Sequence, residues 1–269
     1  MKTAGYNKQK IVRLAGKIYK RTGNYLRLPV NYSNFLSWAD KKLFFNLSHG
    51  KIKHNEIVSV NVRTAGKLPV YLRNNNIDAG VFSCAFFKQY HLPPKKLRAN
   101  AIIADLGSHI GLTMRHLKYL YPASRILGVE LDHENYMLAE KNLAGIDDCI
   151  LVNAAVWYTD GFVNYTGDNS ISFHCRDTDT VSETSVRSFS LTTLFKEYKL
   201  PQIDFVKMDI EGAESLIFDN DCSWLNTVQS INIEVHNGEP LNKYISVLQQ
   251  YGFTCTVSKK HWAAVLAYK

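Results

Sequence analysis

The chain contains little cysteine, glycine and proline for its 269 residues, and it has no long hydrophobic run. Its five cysteines are scattered and none forms a Cys-x-x-Cys pair, so we expect neither a disulfide framework nor a zinc cluster. With 15 glycines and 7 prolines, the composition excludes collagen-like and low-complexity chains. No stretch reaches the roughly 20 apolar residues that a membrane-spanning helix requires.

The N-terminus also lacks the features of a secretory signal. Residues 1–23 carry a cation every few positions and contain no apolar segment, so we expect no signal peptide and a cytoplasmic location. A hydrophobic fraction of 46% is enough for a core, which predicts a globular protein.

Acidic residues are scarce in the first third of the chain. Residues 1–98 contain 19 lysines and arginines but only three acids, whereas the remainder has more acids than bases. A concentrated positive field attracts nucleic acid, anionic lipid or an acidic substrate. The same cations could instead be spread over a solvated surface. If they converge, the protein could lie peripherally at the inner face of the membrane.

The basic segment has a weak secondary-structure pattern. Residues 8–20 and 32–47 have the apolar spacing of amphipathic helices. Residues 58–62 and 68–73 are typical of short strands, and Gly66 between them predicts a hairpin. The Pro93-Pro94 pair is the strongest local break after this segment.

Beyond residue 98 the sequence alternates between short apolar runs and amphipathic segments. This alternation predicts an α/β fold with a mostly parallel sheet covered on both faces. We predict strands at 101–107, 125–131, 149–156, 204–210 and 230–236, helices at 112–121, 134–144, 214–220 and 241–251, an inserted β meander near 157–191, and a closing antiparallel pair at 253–258 and 262–269.

An acid and two glycines follow the first predicted strand of this region, in Asp105-Leu106-Gly107-Ser108-His109-Ile110-Gly111. Glycine lets a ligand approach bare backbone, and a helix N-terminus offers free N–H donors. The spacing matches neither Gly-x-Gly-x-x-Gly nor a phosphate-binding P-loop. Glu130 ends the next strand, where a carboxylate can accept both hydroxyls of a ribose. Because Asp105 would repel a pyrophosphate, these residues favour S-adenosylmethionine (SAM) over NAD.

The most distinctive run is Asp204-Phe205-Val206-Lys207-Met208-Asp209-Ile210-Glu211-Gly212-Ala213-Glu214. Together with the glycine turn, Glu130 and the strand at 230–236, it resembles the FkbM family of class I SAM-dependent methyltransferases over residues 78–257. Asp78, Phe82 and Tyr90 resemble the family's segment ahead of the first strand. The resemblance implies a Rossmann-like, seven-stranded sheet with an antiparallel final hairpin, in a methyltransferase domain at 78–269. Residues 1–77 match no family that we recognise, and their composition and spacing predict a basic N-terminal α/β extension.

The resemblance also implies roles for individual residues. Asp105, Gly107 and Gly111, with Ser108 and His109 between the glycines, would hold the methionine part of SAM. Glu130 would hold the ribose, and Asn153 and Ala154 would lie beside the adenine. Asp209 and Glu211 would face the methyl group and the acceptor, and Lys207 should project to the same side of its strand as Asp209.

His236, at the end of the strand at 230–236, is the candidate general base, with Glu211 or Asp209 as its orienting carboxylate. A structural role for this histidine is the alternative. Asp209, Glu234 and His236, together with Glu211, could also hold a divalent ion such as Mg²⁺. Glu234 could instead pair with Lys207.

The function expected from this reading is O-methylation of a hydroxyl on a saccharide or glycosylated metabolite, for example a cell-surface glycan. The basic N-terminal region would then contact an anionic carrier or membrane surface. An RNA methyltransferase is one alternative, although the strand at 204–210 ends in Asp-Ile-Glu-Gly and no RNA-binding module is recognisable. A non-catalytic SAM-binding or nucleotide-binding protein is another.

Overall fold

The computed structural model describes residues 53–169, 172–177 and 185–269. Contacts divide the chain into two compact units, Met1–Phe87 and Lys88–Lys269. This division lies between the predicted boundary at 77/78 and the Pro93-Pro94 break. The helices predicted at 8–20 and 32–47 lie outside the described residues.

The described part of the first unit contains the predicted hairpin. Strand β1 (Ile57–Val60) pairs antiparallel with β2 (Val70–Arg73), so that Val60 lies opposite Val70. Between the strands Gly66 has a φ of 89°, a conformation that glycine adopts without strain.

Helix α1 (Asn76–Ser83) follows β2. The side chain of Asn75 accepts a hydrogen bond of 2.8 Å from the backbone N–H of Asp78 and so caps the helix. The carboxylate of Asp78 is buried and binds the guanidinium of Arg73 at 2.9 Å. Asp78 therefore joins the hairpin to the helix. A π-helical segment, Cys84–Lys88, continues from α1.

The second unit is built mainly from parallel strands and the helices between them. Its described strands are β3 (Ile102–Leu106), β4 (Arg125–Glu130), β5 (Cys149–Asn153), β6 (Ala155–Val156), β7 (Gly161–Asn169), β8 (Ser172–Asp177), β9 (Ser185–Phe189), β10 (Phe205–Met208), β11 (Ser230–Glu234), β12 (Thr254–Val257) and β13 (Ala264–Tyr268). Its described α-helices are α2 (Leu112–Leu120), α3 (His133–Leu143), α4 (Leu191–Glu197), α5 (Glu214–Phe218) and α6 (Leu241–Gln250), and Ser223–Thr227 forms a 3₁₀ helix.

Seven of these strands form one sheet in the order β12-β13-β11-β10-β3-β4-β5. The five strands from β11 to β5 are parallel, and β13 runs antiparallel to both β11 and β12. The predicted Rossmann-like sheet with an antiparallel final hairpin is confirmed. Because the central strands are parallel, their carboxyl ends lie at the same edge.

The insertion predicted near 157–191 forms a separate four-stranded sheet in the order β6-β9-β7-β8. Strand β7 pairs antiparallel with β8 and with β9, while β6 and β9 are parallel. In a simple meander each strand would pair with the next one along the chain. Here β9 instead lies between β6 and β7, parallel to β6 and antiparallel to β7.

The core explains why the central strands are almost wholly apolar. Ile103, Leu106, Val206, Ile231 and Ile233 are fully buried, since helices cover both faces of the sheet. Each such side chain contributes roughly 1.5–3 kcal/mol through burial. Within the described residues, no helix has the length and apolar character needed to cross a bilayer.

Candidate active site

Four parallel strands, β4, β3, β10 and β11, end side by side at the edge where the predicted site residues lie. The register of the sheet sets Asp105 on β3 opposite Lys207 on β10, and Lys207 opposite Asn232 on β11. Charged residues that are distant in sequence therefore become neighbours at this edge.

Lys207 joins two of these strand ends. Its Nζ atom lies 3.4 Å from Asp105 Oδ1 and 3.3 Å from Asp209 Oδ2, and it donates a hydrogen bond of 2.7 Å to the carbonyl oxygen of Gly107. Burial opposes its charge, but Asp209 and Asp105 outweigh burial and raise the pKa of Lys207. Lys207 and Asp209 do project to the same side of β10, whereas the predicted alternative pairing of Lys207 with Glu234 is not the arrangement observed.

Asp105 is fully buried beneath the site. Its Oδ2 accepts a hydrogen bond from the hydroxyl of Thr113, and burial raises its pKa. In this arrangement Asp105 presents no surface to a ligand, so it acts on the site through Lys207 and the turn that follows β3.

The turn after β3 is fixed by its backbone. The N–H groups of Gly107 and Ser108 both donate to Val129 O, at 3.0 and 2.9 Å, and Gly107 has a φ of 76°. A Cβ atom at Gly107 would lie 2.9 Å from the carbonyl carbon of Asp209 and even closer to its oxygen. The hydroxyl of Ser108 is buried and has no hydrogen-bond partner among the described residues. Bare backbone and an unsatisfied buried hydroxyl fit the methionine part of SAM.

The carboxylate of Glu130 connects this turn to the end of β4. It accepts hydrogen bonds from the N–H of His109 at 2.8 Å, the N–H of Asp132 at 3.0 Å and the side chain of Asn135 at 3.3 Å. Burial raises the pKa of Glu130 to about 7 despite these donors. Glu130 Oε1 therefore has two protein donors, whereas Oε2 has one and can still accept a hydrogen bond from a ribose hydroxyl.

The residues predicted to lie beside the adenine tie β5 to β4. The amide of Asn153 donates to the carbonyl oxygens of Glu130 and Leu131, both at 2.9 Å, and the N–H of Ala154 donates to Glu130 O at 3.0 Å. Gly111 opens α2 with a φ of 77°, and a Cβ there would contact Ala139 at 3.3 Å. These contacts hold the predicted cofactor residues along one continuous edge.

Glu214 holds the turn that follows β10, and the sequence analysis assigned it no role. It is buried, and its carboxylate accepts hydrogen bonds from the N–H groups of Ile210 at 3.0 Å and Gly212 at 2.8 Å. The turn that it holds includes Glu211 with a φ of 56°, a conformation unusual for a residue other than glycine. The signal available in the sequence was the final glutamate of the Asp204–Glu214 motif.

His236 lies among four carboxylates at the ends of β10 and β11. Its Nδ1 is 3.0 Å from Glu214 Oε1, so the orienting carboxylate is Glu214, and the prediction of Asp209 or Glu211 in that role is wrong. Its Nε2 lies 3.6 Å from Asp209, 3.7 Å from Glu211 and 3.8 Å from Glu234. The sequence did not indicate Glu214 as the partner of His236, because this contact depends on the geometry of the turn after β10 and not on the alternation of side chains along a strand.

The charged groups in this cluster shift one another's pKa values. Burial opposes protonation of His236, but the hydrogen bond that its Nδ1 donates to Glu214, together with the surrounding carboxylates, raises its pKa to about 9. Burial raises the pKa of Glu211 to about 7, although His236 acts in the opposite direction. For Asp209, Lys207 and His236 outweigh burial and lower the pKa. At neutral pH His236 is therefore an imidazolium, and the carboxyl group of Glu211 is partly protonated.

The predicted metal ligands also come together. One oxygen or nitrogen atom from each of Asp209, Glu234 and His236 lies within 4.8 Å of the other two. Glu234 additionally lies 3.6 Å from His261 Nε2, a contact that the sequence did not predict. A metal ion bound here would compete with the proton on His236 Nε2.

A parallel sheet with a glycine turn after β3 and an acid at the end of β4 is typical of enzymes that bind a cofactor containing a nucleoside. The family model of the Methyltransferase FkbM domain matches residues 105–255, which is more than half of the chain. The protein belongs to the FkbM methyltransferase family, and the resemblance identified in the sequence is confirmed over residues 105–255. The predicted resemblance of Asp78, Phe82 and Tyr90 lies ahead of the matched residues and stays a prediction. No curated protein matches the chain.

Among solved structures, the protein is similar to precorrin-6y C5,15-methyltransferase from Geobacter metallireducens, with 14% identity and a TM-score of 0.42 over 71% of this chain and 89% of that chain. It is also similar to Aeropyrum pernix fibrillarin, in a structure with natively bound S-adenosyl-L-methionine, with 13% identity and a TM-score of 0.37 over 66% of this chain and 68% of that chain. Neither similarity bears on the substrate, so the assignment rests on the family match.

Proposed function

We propose that the protein transfers a methyl group from SAM to a hydroxyl group of a saccharide. The observation that supports this most strongly is the cluster of Asp209, Glu211, Glu234 and His236 beside the glycine turn. Its three acids are each about one-third exposed, with side-chain values of 31%, 34% and 31%. Carboxylates that remain accessible can accept hydrogen bonds from the hydroxyl groups of a sugar.

The cofactor would be held by the ends of β3, β4 and β5. Gly107, Ser108 and Gly111 would contact the methionine part, Glu130 the ribose, and the Asn153-Ala154 segment the adenine. SAM supplies a methyl group on a positively charged sulfur, which is activated for displacement by an oxygen nucleophile. The protein's main task is then to hold the acceptor hydroxyl in line with that methyl group, which can lower the barrier by about 7–11 kcal/mol.

Glu211 is the proton acceptor that this account favours. Its pKa of about 7 suits a general base at neutral pH, whereas the pKa of about 9 keeps His236 protonated. Held through Nδ1 by Glu214, the imidazolium of His236 would orient Glu211 and Asp209 and balance their charge. His236 was the base expected from the sequence, and it retains a positioning role in this proposal.

The direct test incubates the protein with radiolabelled SAM and fractionated cell-surface glycans. We expect one glycan fraction to gain label, and Glu211→Gln to lower kcat by about 10²–10⁴-fold with an unchanged Kd for SAM. Glu197→Gln is the matched control, because Glu197 is a comparably exposed acid that pairs with Arg187 on the surface. Transfer to RNA in place of glycans, or equal kcat values for both variants, would contradict the proposal.

Binding of a divalent metal ion is the alternative function of the same cluster. If Asp209, Glu234 and His236 hold an ion such as Mg²⁺, the metal would lower the pKa of the acceptor hydroxyl and replace the proton on His236. We expect the rate of methyl transfer to survive treatment with EDTA, because the imidazolium already compensates the carboxylates. A loss of rate that added Mg²⁺ restores would assign these three residues to a metal.

The role of the basic N-terminal region remains a prediction. Eleven of the 19 lysines and arginines in residues 1–98 precede residue 53 and lie outside the described residues. We propose that this region contacts an anionic carrier or membrane surface, to which each nearby cation would contribute about 1 kcal/mol.

A further inference from the structure

The loop between β12 and β13 carries the most exposed of the large apolar side chains described in the structure. Trp262 is 83% exposed, whereas Trp157 and Trp224 are buried at 6% and 3%. The loop has its own hydrogen bonds: the hydroxyl of Ser258 accepts from the N–H groups of Lys260 and His261, at 3.2 and 3.3 Å. Tryptophan is enriched at binding interfaces, because its ring offers a large apolar face and a polar N–H.

This loop lies directly beside the carboxylate cluster. The N–H of Val235 donates to Ala263 O at 2.9 Å, and Glu234 on β11 lies opposite Ala264 on β13. His261 Nε2 is 3.6 Å from Glu234 Oε1, and the same oxygen is 3.8 Å from His236 Nε2. A molecule that contacts the loop can therefore also reach the carboxylates.

Three rings lie next to one another here, and we call them the aromatic platform: Tyr90, His261 and Trp262. The ring centroids of Tyr90 and His261 are 4.9 Å apart, and those of His261 and Trp262 are 6.5 Å apart with an interplanar angle of 21°.

Cations border the aromatic platform. Lys88 Nζ lies 5.2 Å from the centre of the Tyr90 ring, and Lys259 and Lys260 are exposed on the loop itself. The surface thus combines flat apolar faces with positive charge, next to a site that is rich in negative charge.

We propose that the aromatic platform is the acceptor subsite, and that it binds a pyranose ring carrying an anionic substituent. This inference rests on the proposed function and names the substrate class for the same site. The C–H face of the pyranose stacks on Trp262, and the carboxylate or phosphate substituent binds Lys259 and Lys260. The ring hydroxyls then point toward Glu234 and Glu211, so that one of them can be methylated.

Charge favours a saccharide over a nucleic acid at this surface. A single-stranded nucleic acid also stacks on aromatic rings, but it brings a phosphate at every nucleotide. Such a chain would have to pass Asp209, Glu211 and Glu234, whose negative charges repel it. A pyranose with one anionic group can hold that group at the lysines and present only hydroxyls to the carboxylates.

The test measures binding without SAM, by saturation-transfer NMR on the full chain. The probes are methyl glucuronide, glucosyl phosphate, neutral methyl glucoside and an oligouridine RNA. We expect both anionic pyranosides to bind more tightly than the neutral one, with saturation on the ring protons, and Trp262→Ala to weaken binding by about 10-fold or more. Tyr119→Ala is the matched control, because Tyr119 is 46% exposed at the far end of α2.

Two further measurements separate the parts of the inference. We expect the double variant Lys259→Glu with Lys260→Glu to lose the preference for anionic over neutral pyranosides, and Trp262→Ala to keep the wild-type Kd for SAM. The inference is overturned if wild type binds none of the pyranosides, if Trp262→Ala binds them as wild type does, or if oligouridine binds best. Pyranoside binding that depends on Trp262 without any transfer of label to glycans would instead overturn the proposed function alone.

Discussion

Replacing Lys207 with methionine is expected to lower the free energy of unfolding by about 3–5 kcal/mol near neutral pH. The side chain of Lys207 is 8% exposed, and its ammonium is the counter-charge for Asp105, which is fully buried, and for Asp209. Methionine keeps the length of the side chain but leaves a buried carboxylate without a partner. Equilibrium urea unfolding measures this loss.

The effect of this substitution should depend on pH. Burial already raises the pKa of Asp105, and loss of Lys207 raises it further above its value in the unfolded chain, which is about 3.9. A carboxyl group with a raised folded-state pKa favours folding at low pH, and it loses that contribution as the pH rises through the folded-state pKa. The deficit of the variant should therefore be larger at about pH 8 than at about pH 5.

Lys243→Met is the control for this experiment. Lys243 Nζ lies 2.7 Å from Asp219 Oδ2, but the two side chains are 24% and 56% exposed, so this is a surface pair. Such a pair contributes about 0–1 kcal/mol, and its loss should depend little on pH. Equal and pH-independent losses in the two variants would contradict the assignment of Lys207 as the buried counter-charge.

Gly107→Ala is expected to weaken SAM binding by at least about 100-fold and to destabilise the protein by more than about 2 kcal/mol. The added Cβ would collide with the backbone of Asp209, so β3 and β10 would have to separate where the cofactor residues and the reacting carboxylates meet. Calorimetric titration with SAM, alongside urea unfolding, measures both effects.

Gly252→Ala is the control that distinguishes the effect of the steric collision at Gly107 from the effect of backbone strain at a positive φ. Gly252 also has a positive φ, of 84°, but a Cβ there would meet nothing within 4 Å. An alanine in this conformation costs about 1–2 kcal/mol, and the Kd for SAM should not change. If the two variants bind SAM equally well, close contact between the strand ends does not form the cofactor site.

The sequence predicted the sheet because its signals are local. Buried parallel strands are short and apolar, so β3, β4, β10 and β11 were recognisable, as were helices α2 and α3. The meeting of Lys207 with Asp209 also followed, since alternate residues of a strand share a face. The class and family were predictable from the motifs at the strand ends.

Other features depend on contacts that no local pattern specifies. The turn at Glu211, with its φ of 56°, directs the carboxylate of Glu214 to His236, and alternation along β10 could not indicate that. Helix α4 was not predicted because it spans only Leu191–Glu197 and includes two threonines. The sequence signal for this helix was the N-cap residue Ser190, whose hydroxyl accepts a hydrogen bond of 3.3 Å from the N–H of Thr193.

The central claim is that the ends of β3, β4 and β5 hold SAM, while the ends of β10 and β11 perform the transfer. Parallel calorimetric titrations of SAM into the wild-type protein and Glu211→Gln test it most directly. The account predicts one molecule of SAM bound per chain with the same Kd in both proteins. Absence of binding to the wild-type protein, or loss of SAM affinity in Glu211→Gln, would contradict it.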